Sequence, residues 1–121
     1  MIDLDSYFLS GEEIDLLSNR IIGGVILFSR NVKSRSQLTT LCEEIKSINP
    51  ELLIAIDQEG GRVQRLDRGY TNLPSMNQLA GYCSEDNFAN ISFAKDIGWL
   101  MASEVIASGL DISFAPVLDL D

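Results

Sequence analysis

Leu52-Leu53-Ile54-Ala55-Ile56-Asp57-Gln58-Glu59-Gly60-Gly61-Arg62-Val63-Gln64-Arg65 is the stretch from which the fold can be read. Its five leading apolar residues are too short a run for a typical helix and rich enough in branched side chains for a strand. With no polar residue alternating among them, the strand is expected to be buried on both faces, as in a parallel sheet. In parallel α/β architectures ligands collect at the carboxyl ends of the strands. Asp57 therefore stands where chemistry is usually done, and it arrives with an amide, a second acid, two glycines and two arginines.

Outward from this strand, the pattern alternates strand and helix. Residues 2–4 read as a short first strand. Ser10-Gly11-Glu12-Glu13 has the form of a capping box and opens a helix with Ile14 and Leu17 inward. Residues 23–28 read as a second strand. Ser34-Arg35-Ser36-Gln37 is another capping box, followed at helical spacing by Leu38, Leu41, Ile45 and Ile48, and Pro50 closes that element. After the third strand, residues 58–84 show two glycine signals, Pro74 and little sustained period, and a connection of that length inside a compact fold is usually functional or disordered. From about residue 85 to 108 an amphipathic pattern returns through Phe88, Ile91, Ala94, Met101, Ala102 and Val105, with Gly109 as the C-cap. Residues 111–120 read as the fourth strand. Strands separated by helices call for right-handed parallel crossovers, so the fold class is α/β. Neither repeats nor linkers divide the chain, which is one domain or part of one.

Composition bounds the function. Hydrophobic residues make up 45% of the chain, yet the longest apolar stretch, 21–28, is far too short to cross a bilayer. Met1-Ile2-Asp3-Leu4-Asp5 is acidic where a secretory signal is basic, so a cytoplasmic protein with no membrane partner is expected. Eighteen acidic residues against nine basic ones give a net charge of −9, which repels phosphate backbones and argues against nucleic acid. Cys42 and Cys83 form no metal-ligand spacing and read as reduced structural thiols.

The polar residues at the strand ends admit two explanations. Asp57 and Glu59 could be solvated loop acids, Gly60-Gly61 a turn needing positive φ, and Arg62 and Arg65 partners in surface ion pairs of small worth. Against this stands their convergence at one strand end, where a carboxylate and a forked guanidinium can read the hydroxyls of a polar ligand. Arg30 and Asn31 follow strand two in the same way, and Asp119 and Asp121 follow strand four, so all three ends should face one rim. Asp119 is either a loop-orienting hydrogen-bond acceptor or a ligand contact. Trp99, on the long helix and away from the rim, reads as core rather than as a sugar-stacking platform.

The run Asp57 to Arg65 also resembles, nearly residue for residue, the DQEGGRVQR signature of bacterial β-N-acetylglucosaminidases of glycoside hydrolase family 3. Further blocks sit at matching places: Gly23-Gly24-Val25-Ile26-Leu27-Phe28-Ser29-Arg30-Asn31 upstream, then Gly98-Trp99-Leu100-Met101-Ala102-Ser103-Glu104 and Ser113-Phe114-Ala115-Pro116-Val117-Leu118-Asp119 downstream. The resemblance spans the whole chain. It implies a TIM (β/α)₈ barrel, which needs upwards of about 200 residues; a chain of 121 is then expected to be its amino-terminal half, truncated at the end of the fourth strand. For the complete enzyme it implies a retaining mechanism with an Asp nucleophile and a His acid/base. This chain has no histidine. The nucleophile and the Lys-His sugar-binding motif are implied to lie beyond Asp121, so no catalytic residue is assigned here. What the resemblance places on this chain is a substrate-binding pair: Asp57 as the carboxylate that takes hydroxyls of a terminal N-acetylglucosamine, and Arg65 as its basic partner. It further implies peptidoglycan muropeptides as the carbohydrate substrate, cytoplasmic cell-wall recycling, and no metal or organic cofactor. A half barrel on its own would leave strand edges and helix faces uncovered, and is expected to self-associate.

Two other classes fit parts of the chain. A phosphoacceptor receiver domain has this size and an Asp after its third strand, but it needs an acidic pair after strand one and a late Lys. Asp3 and Asp5 are poor candidates for the pair, and the last Lys is Lys95, on a helix. A non-catalytic sugar- or partner-binding module differs from the enzyme reading only in whether the gene continues.

Overall fold

The computed structural model describes residues 1–82 and 88–118. Cys83, Asp119, Asp121 and the side chain of Phe88 lie outside the described residues. Four parallel strands form the main sheet: β1 (Ile2–Asp3), β2 (Gly24–Leu27), β3 (Leu53–Ile56) and β6 (Ile112–Ser113). The intervening β4 (Gln58–Gly60) and β5 (Val63–Gln64) form a small antiparallel hairpin. Strands add side by side in chain order. A doubly wound receiver-type sheet reverses its order partway, and this sheet does not.

The centre of the sheet is β2 and β3, paired in register from Gly24 with Leu53 to Leu27 with Ile56. Val25, Leu27, Ile54, Ala55 and Ile56 are fully buried, but Leu53, at the start of β3, is 51% exposed, so the strand expected to be buried on both faces is uncovered at its first residue. Helix α2 (Arg35–Ile48) lays Leu38, Leu41, Cys42 and Ile45 into that core, with Ile48 packed at its edge. Leu38, Leu41, Ile45 and Ile48 are the positions its helical spacing predicts, and Cys42 joins them. Its start departs in detail from a capping box: Ser34 Oγ accepts from Gln37 N at 3.2 Å, but Gln37 Oε1 reaches one residue further back, to Lys33 N at 2.8 Å.

Helix α1 (Gly11–Leu17) does carry a full box, with Ser10 Oγ accepting from Glu13 N and Glu13 Oε2 accepting from Ser10 N at 2.7 Å. The other Glu13 oxygen accepts from Asp5 N at 3.0 Å, so one buried carboxylate ties the end of β1 to the helix. Burial pushes the Glu13 carboxyl up, but the N–H groups of Ser10 and Asp5 and the Ser10 hydroxyl outweigh it and leave the group below its ordinary value. This corrects the inward pair read from the sequence. Glu13 and Leu17, one turn apart, share the buried face, and Ile14, next door to Glu13, is swung outward and exposed.

The stretch 58–84, expected to be a long connection, contains the β4–β5 hairpin and helix α3 (Met76–Tyr82). Helix α4 (Phe88–Ala107) follows, and it ends as expected in a Schellman motif. Gly109 adopts φ +89, its N–H bonds Ile106 O at 3.0 Å, and Leu110 N bonds Val105 O at 3.3 Å. An added Cβ there would lie 2.8 Å from Cys42 Cβ, so the close approach as well as the turn requires glycine. Met101 and Val105 are buried, with Ile97 and Leu100 packed beside them, whereas Ile91 and Ala102 are exposed. Trp99 is 71% exposed, not core. It lies two residues from both Ile97 and Met101, on the opposite side of the helix from the stripe they define. Between α3, α4 and β6 runs an apolar groove of about 500 Å³ lined by Leu79, Ile97, Met101, Val105, Ile112 and Ala115.

Below the sheet, Asp111 Oδ2 accepts from Ile54 N at 2.7 Å and pairs with Lys46 Nζ at 2.8 Å, pinning α2 and the start of β6 to β3. The fourth strand is shorter than expected, occupying only Ile112–Ser113 among the described residues. Among these residues no helix is long and apolar enough to cross a membrane.

Candidate functional site

Asp57 is the first residue after β3, on the carboxyl rim of the sheet, as the sequence places it. The chain then turns back through the hairpin, and eight residues later Arg65 Nη2 meets Asp57 Oδ2 at 3.2 Å. Both side chains are mostly buried, 21% exposed for Asp57 and 29% for Arg65, so the pair is only partly screened by water. The Arg65 guanidinium lies 5.7 Å from the centre of the Phe28 ring at the end of β2, and Arg30 lies over the same ring at 4.8 Å. Among the described residues Arg65 Nε is buried without a hydrogen-bond partner. An unpaired buried donor is costly unless a ligand or water uses it.

The turn that makes this meeting possible is Gly60-Gly61, with φ +88 and +61. A Cβ on Gly60 would stand 2.3 Å from the Pro74 carbonyl oxygen, and one on Gly61 would stand 2.5 Å from Ser75 Cβ. The hairpin is thus pressed against the 73–75 backbone, where Gly61 N also bonds Leu73 O at 2.8 Å. The turn explanation of these glycines holds, and the turn is what returns Arg65 to Asp57.

Two glutamines brace the hairpin. Gln58, 1% exposed, accepts with one oxygen from the N–H groups of Arg65 and Leu66, both at 3.0 Å. Its own backbone N and O are clasped by the Ser113 hydroxyl of β6 at 3.1 and 3.0 Å. Gln64 donates to Leu66 O and Thr71 O and accepts from Leu73 N. Gln58, Gln64, Phe28 and Ser113 were not singled out in the sequence reading. The available signal was an uncharged amide between two acids, Asp57 and Glu59, just past a strand end.

Other rim residues divide. Arg30 pairs with Asp3 and donates from Nε to Leu4 O at 2.9 Å. Asn31 is wholly consumed by structure: its amide donates to Leu4 O and Ser6 O and its oxygen accepts from Phe28 N, fastening the β1–α1 loop to β2. Glu59 and Arg62 do not join the Asp57–Arg65 pair. They line a separate groove of about 670 Å³ with Ser75, Asn77 and Leu118. Beside Arg65 opens a polar groove of about 490 Å³ lined by Asp5, Ser29, Arg30, Lys33, Arg65 and Arg68, within the size range of small-molecule sites. Among the described residues no cluster of His, Cys, Asp and Glu could hold a metal. Cys42 is buried in the core, where burial above all, and then the Asp111 charge, push its thiol up to about 12.

A parallel β/α sheet with a carboxylate–guanidinium pair on its carboxyl rim is the arrangement of the α/β barrel enzymes, whose sites lie at that rim. Residues 4–121 match the glycosyl hydrolase family 3 N terminal domain, and the chain belongs to that family. It is 48% identical over 121 residues to a beta-hexosaminidase of Pseudomonas aeruginosa, covering 100% of this chain and 35% of that protein. To the beta-hexosaminidase of Alkalilimnicola ehrlichii it is 51% identical over 121 residues, covering 99% of this chain and 35% of the relative. The crystal structure of NagZ from Neisseria gonorrhoeae in complex with N-trifluoroacetyl-D-glucosamine superposes with a TM-score of 0.95 at 47% identity, over 100% of this chain and 36% of that one. The chain therefore spans about a third of the length of the relatives it matches. Its fold class is the parallel α/β arrangement of the amino-terminal part of a TIM-type barrel, as the sequence led us to expect.

Proposed function

We propose that this chain is the amino-terminal part of a β-N-acetylhexosaminidase barrel, in which Asp57 and Arg65 bind hydroxyls of a terminal β-linked N-acetylglucosamine. The observation that carries the reading is the Asp57–Arg65 contact itself, 3.2 Å long and mostly buried on the carboxyl rim. A paired carboxylate keeps free lone pairs for hydroxyl donors, and a guanidinium keeps further N–H groups for hydroxyl acceptors. Such a pair binds a polyol and does no bond-breaking. Catalysis is assigned to residues outside this chain, by double displacement with retention, as in most glycosidases of the retaining class. Muropeptide fragments of peptidoglycan, met in the cytoplasm, are the substrate we infer. The likeness to hexosaminidases supports the glycosidase, and the N-acylated glucosamine in the NagZ complex supports the sugar.

The test is hydrolysis of 4-nitrophenyl N-acetyl-β-glucosaminide by the full-length protein, with the anomer of the first product followed by NMR. Turnover releasing the β-anomer is expected. Absence of turnover, or first release of the α-anomer, would overturn the reading.

A further inference from the structure

Gln58 occupies an unusual place: it is the immediate neighbour of Asp57 in the chain and the direct holder of Arg65 in space. Its side chain is 1% exposed. One amide oxygen accepts two backbone N–H groups, from Arg65 and Leu66, at 3.0 Å each, and the amide nitrogen lies 3.4 Å from Leu66 O. Its main chain is fixed to β6 through both N and O by Ser113 Oγ. The β3 end and the β5 exit are therefore joined through one amide, whose oxygen spends both lone pairs on backbone and whose nitrogen reaches the backbone of Leu66. Burial of the side chain, at 1% exposed, keeps it from a ligand in the groove.

We propose that Gln58 is the positioning residue for the sugar-binding pair, setting the reach of Arg65 toward Asp57 without touching the sugar. This rests on the reading of Asp57 and Arg65 given above. Other contacts on Arg65 do not replace it: the Phe28 ring supports the guanidinium face but not its position along the strand axis, and Nε has no partner among the described residues. Without the Gln58 oxygen, two buried N–H groups lose their acceptor, and the segment bearing Arg65 shifts to find another. A displacement of the order of an ångström in a binding group costs up to about a hundredfold.

The experiment is titration of the full-length protein with N-acetylglucosamine by calorimetry. The variants are Arg65→Ala, Gln58→Met, which keeps the volume and removes the amide, and the double variant. Expected are a loss of about tenfold or more for Gln58→Met in the wild-type background and no further loss, within about twofold, in the Arg65→Ala background. A purely structural role for Gln58 would lower affinity by the same factor in both backgrounds, and that result, or wild-type affinity in Gln58→Met, overturns the proposal. Should Gln58→Met fail to fold, Gln58→Glu keeps an oxygen for both N–H groups and is expected to bind within about threefold of wild type; a loss as large as that of Arg65→Ala would overturn it. Unchanged affinity in Arg65→Ala alone would instead strike down the sugar-binding reading itself.

Discussion

Gly60→Ala separates the two reasons that a glycine is needed at the turn carrying the site. Gly60 and Gly69 share nearly the same φ, +88 and +83, so an alanine at either meets a left-handed penalty of about 1–2 kcal/mol. Their surroundings differ. At Gly69 an added Cβ meets nothing within 4 Å, whereas at Gly60 it meets the Pro74 carbonyl oxygen at 2.3 Å and Leu73 Cβ at 3.2 Å. The oxygen is backbone and cannot rotate away, so the hairpin must lift from the 73–75 segment at a further cost of about 1–3 kcal/mol. Gly69→Ala should therefore destabilise by roughly 1–2 kcal/mol and Gly60→Ala by roughly 2–5 kcal/mol. Urea denaturation of the full-length variants, compared through midpoints at constant slope, reads the difference. Because the lifted hairpin carries Arg65, only Gly60→Ala should also weaken sugar binding. Equal stability losses in the two variants would refute the claim that the hairpin is pressed against the 73–75 backbone.

Glu13 and Asp111 both sit below their ordinary values, Asp111 because Lys46 and the Ile54 N–H outweigh its burial. Their contribution is complete above the unfolded values of about 4 and is lost as pH falls through the lowered native ones, so Glu13→Gln and Asp111→Asn should flatten the fall in Tm between about pH 5 and 3; an unchanged slope would contradict it. Cys42, with its thiol pushed up to about 12, should resist iodoacetamide at pH 8 in the native protein and react once denatured, as mass spectrometry of its peptide would show. The isolated 121-residue chain exposes Ile91, Phe93, Trp99, Ile106 and Phe114 and should sediment as oligomer or aggregate, without hydrolysing an aryl N-acetyl-β-glucosaminide; a compact monomer with a cooperative melt would count against this.

Much of the fold was legible because its signals are local. Five apolar residues before Asp57 mark a strand, Ser10 and Ser34 mark helix starts, and Gly109 marks a helix end, and each element appears where its pattern puts it, although Leu53 at the start of the strand is exposed rather than buried. The failures share a cause as well. Ile14 and Trp99 are large and apolar, and composition alone sends them inward, but which helix face is covered depends on what packs there. Between 58 and 84 the period is broken because the hairpin holds itself by side-chain-to-backbone bonds from Gln58 and Gln64, which leave no hydrophobic repeat. In the candidate site, Asp57 and Arg65 were named as a pair only through the resemblance of the run to a family signature, and the residues alone did not separate Arg65 from Arg62 or Asp57 from Glu59. Tight turns at Gly60-Gly61 send neighbouring side chains to different grooves, and no spacing rule reports which.

The most direct measurement is kcat/KM for an aryl N-acetyl-β-glucosaminide with Asp57→Ala, Arg65→Ala and the double variant in the full-length protein. If the pair binds the sugar, Asp57→Ala leaves hydroxyls unpaired in a mostly buried site and costs about 2–4 kcal/mol of transition-state binding. That is a fall of roughly 30- to 1000-fold. Arg65→Ala should fall similarly, and the double variant should lose less than the product of the two because they share one ligand. A folded Asp57→Ala protein with kcat/KM within about threefold of wild type would contradict the assignment and return Asp57 to the role of a polar turn residue.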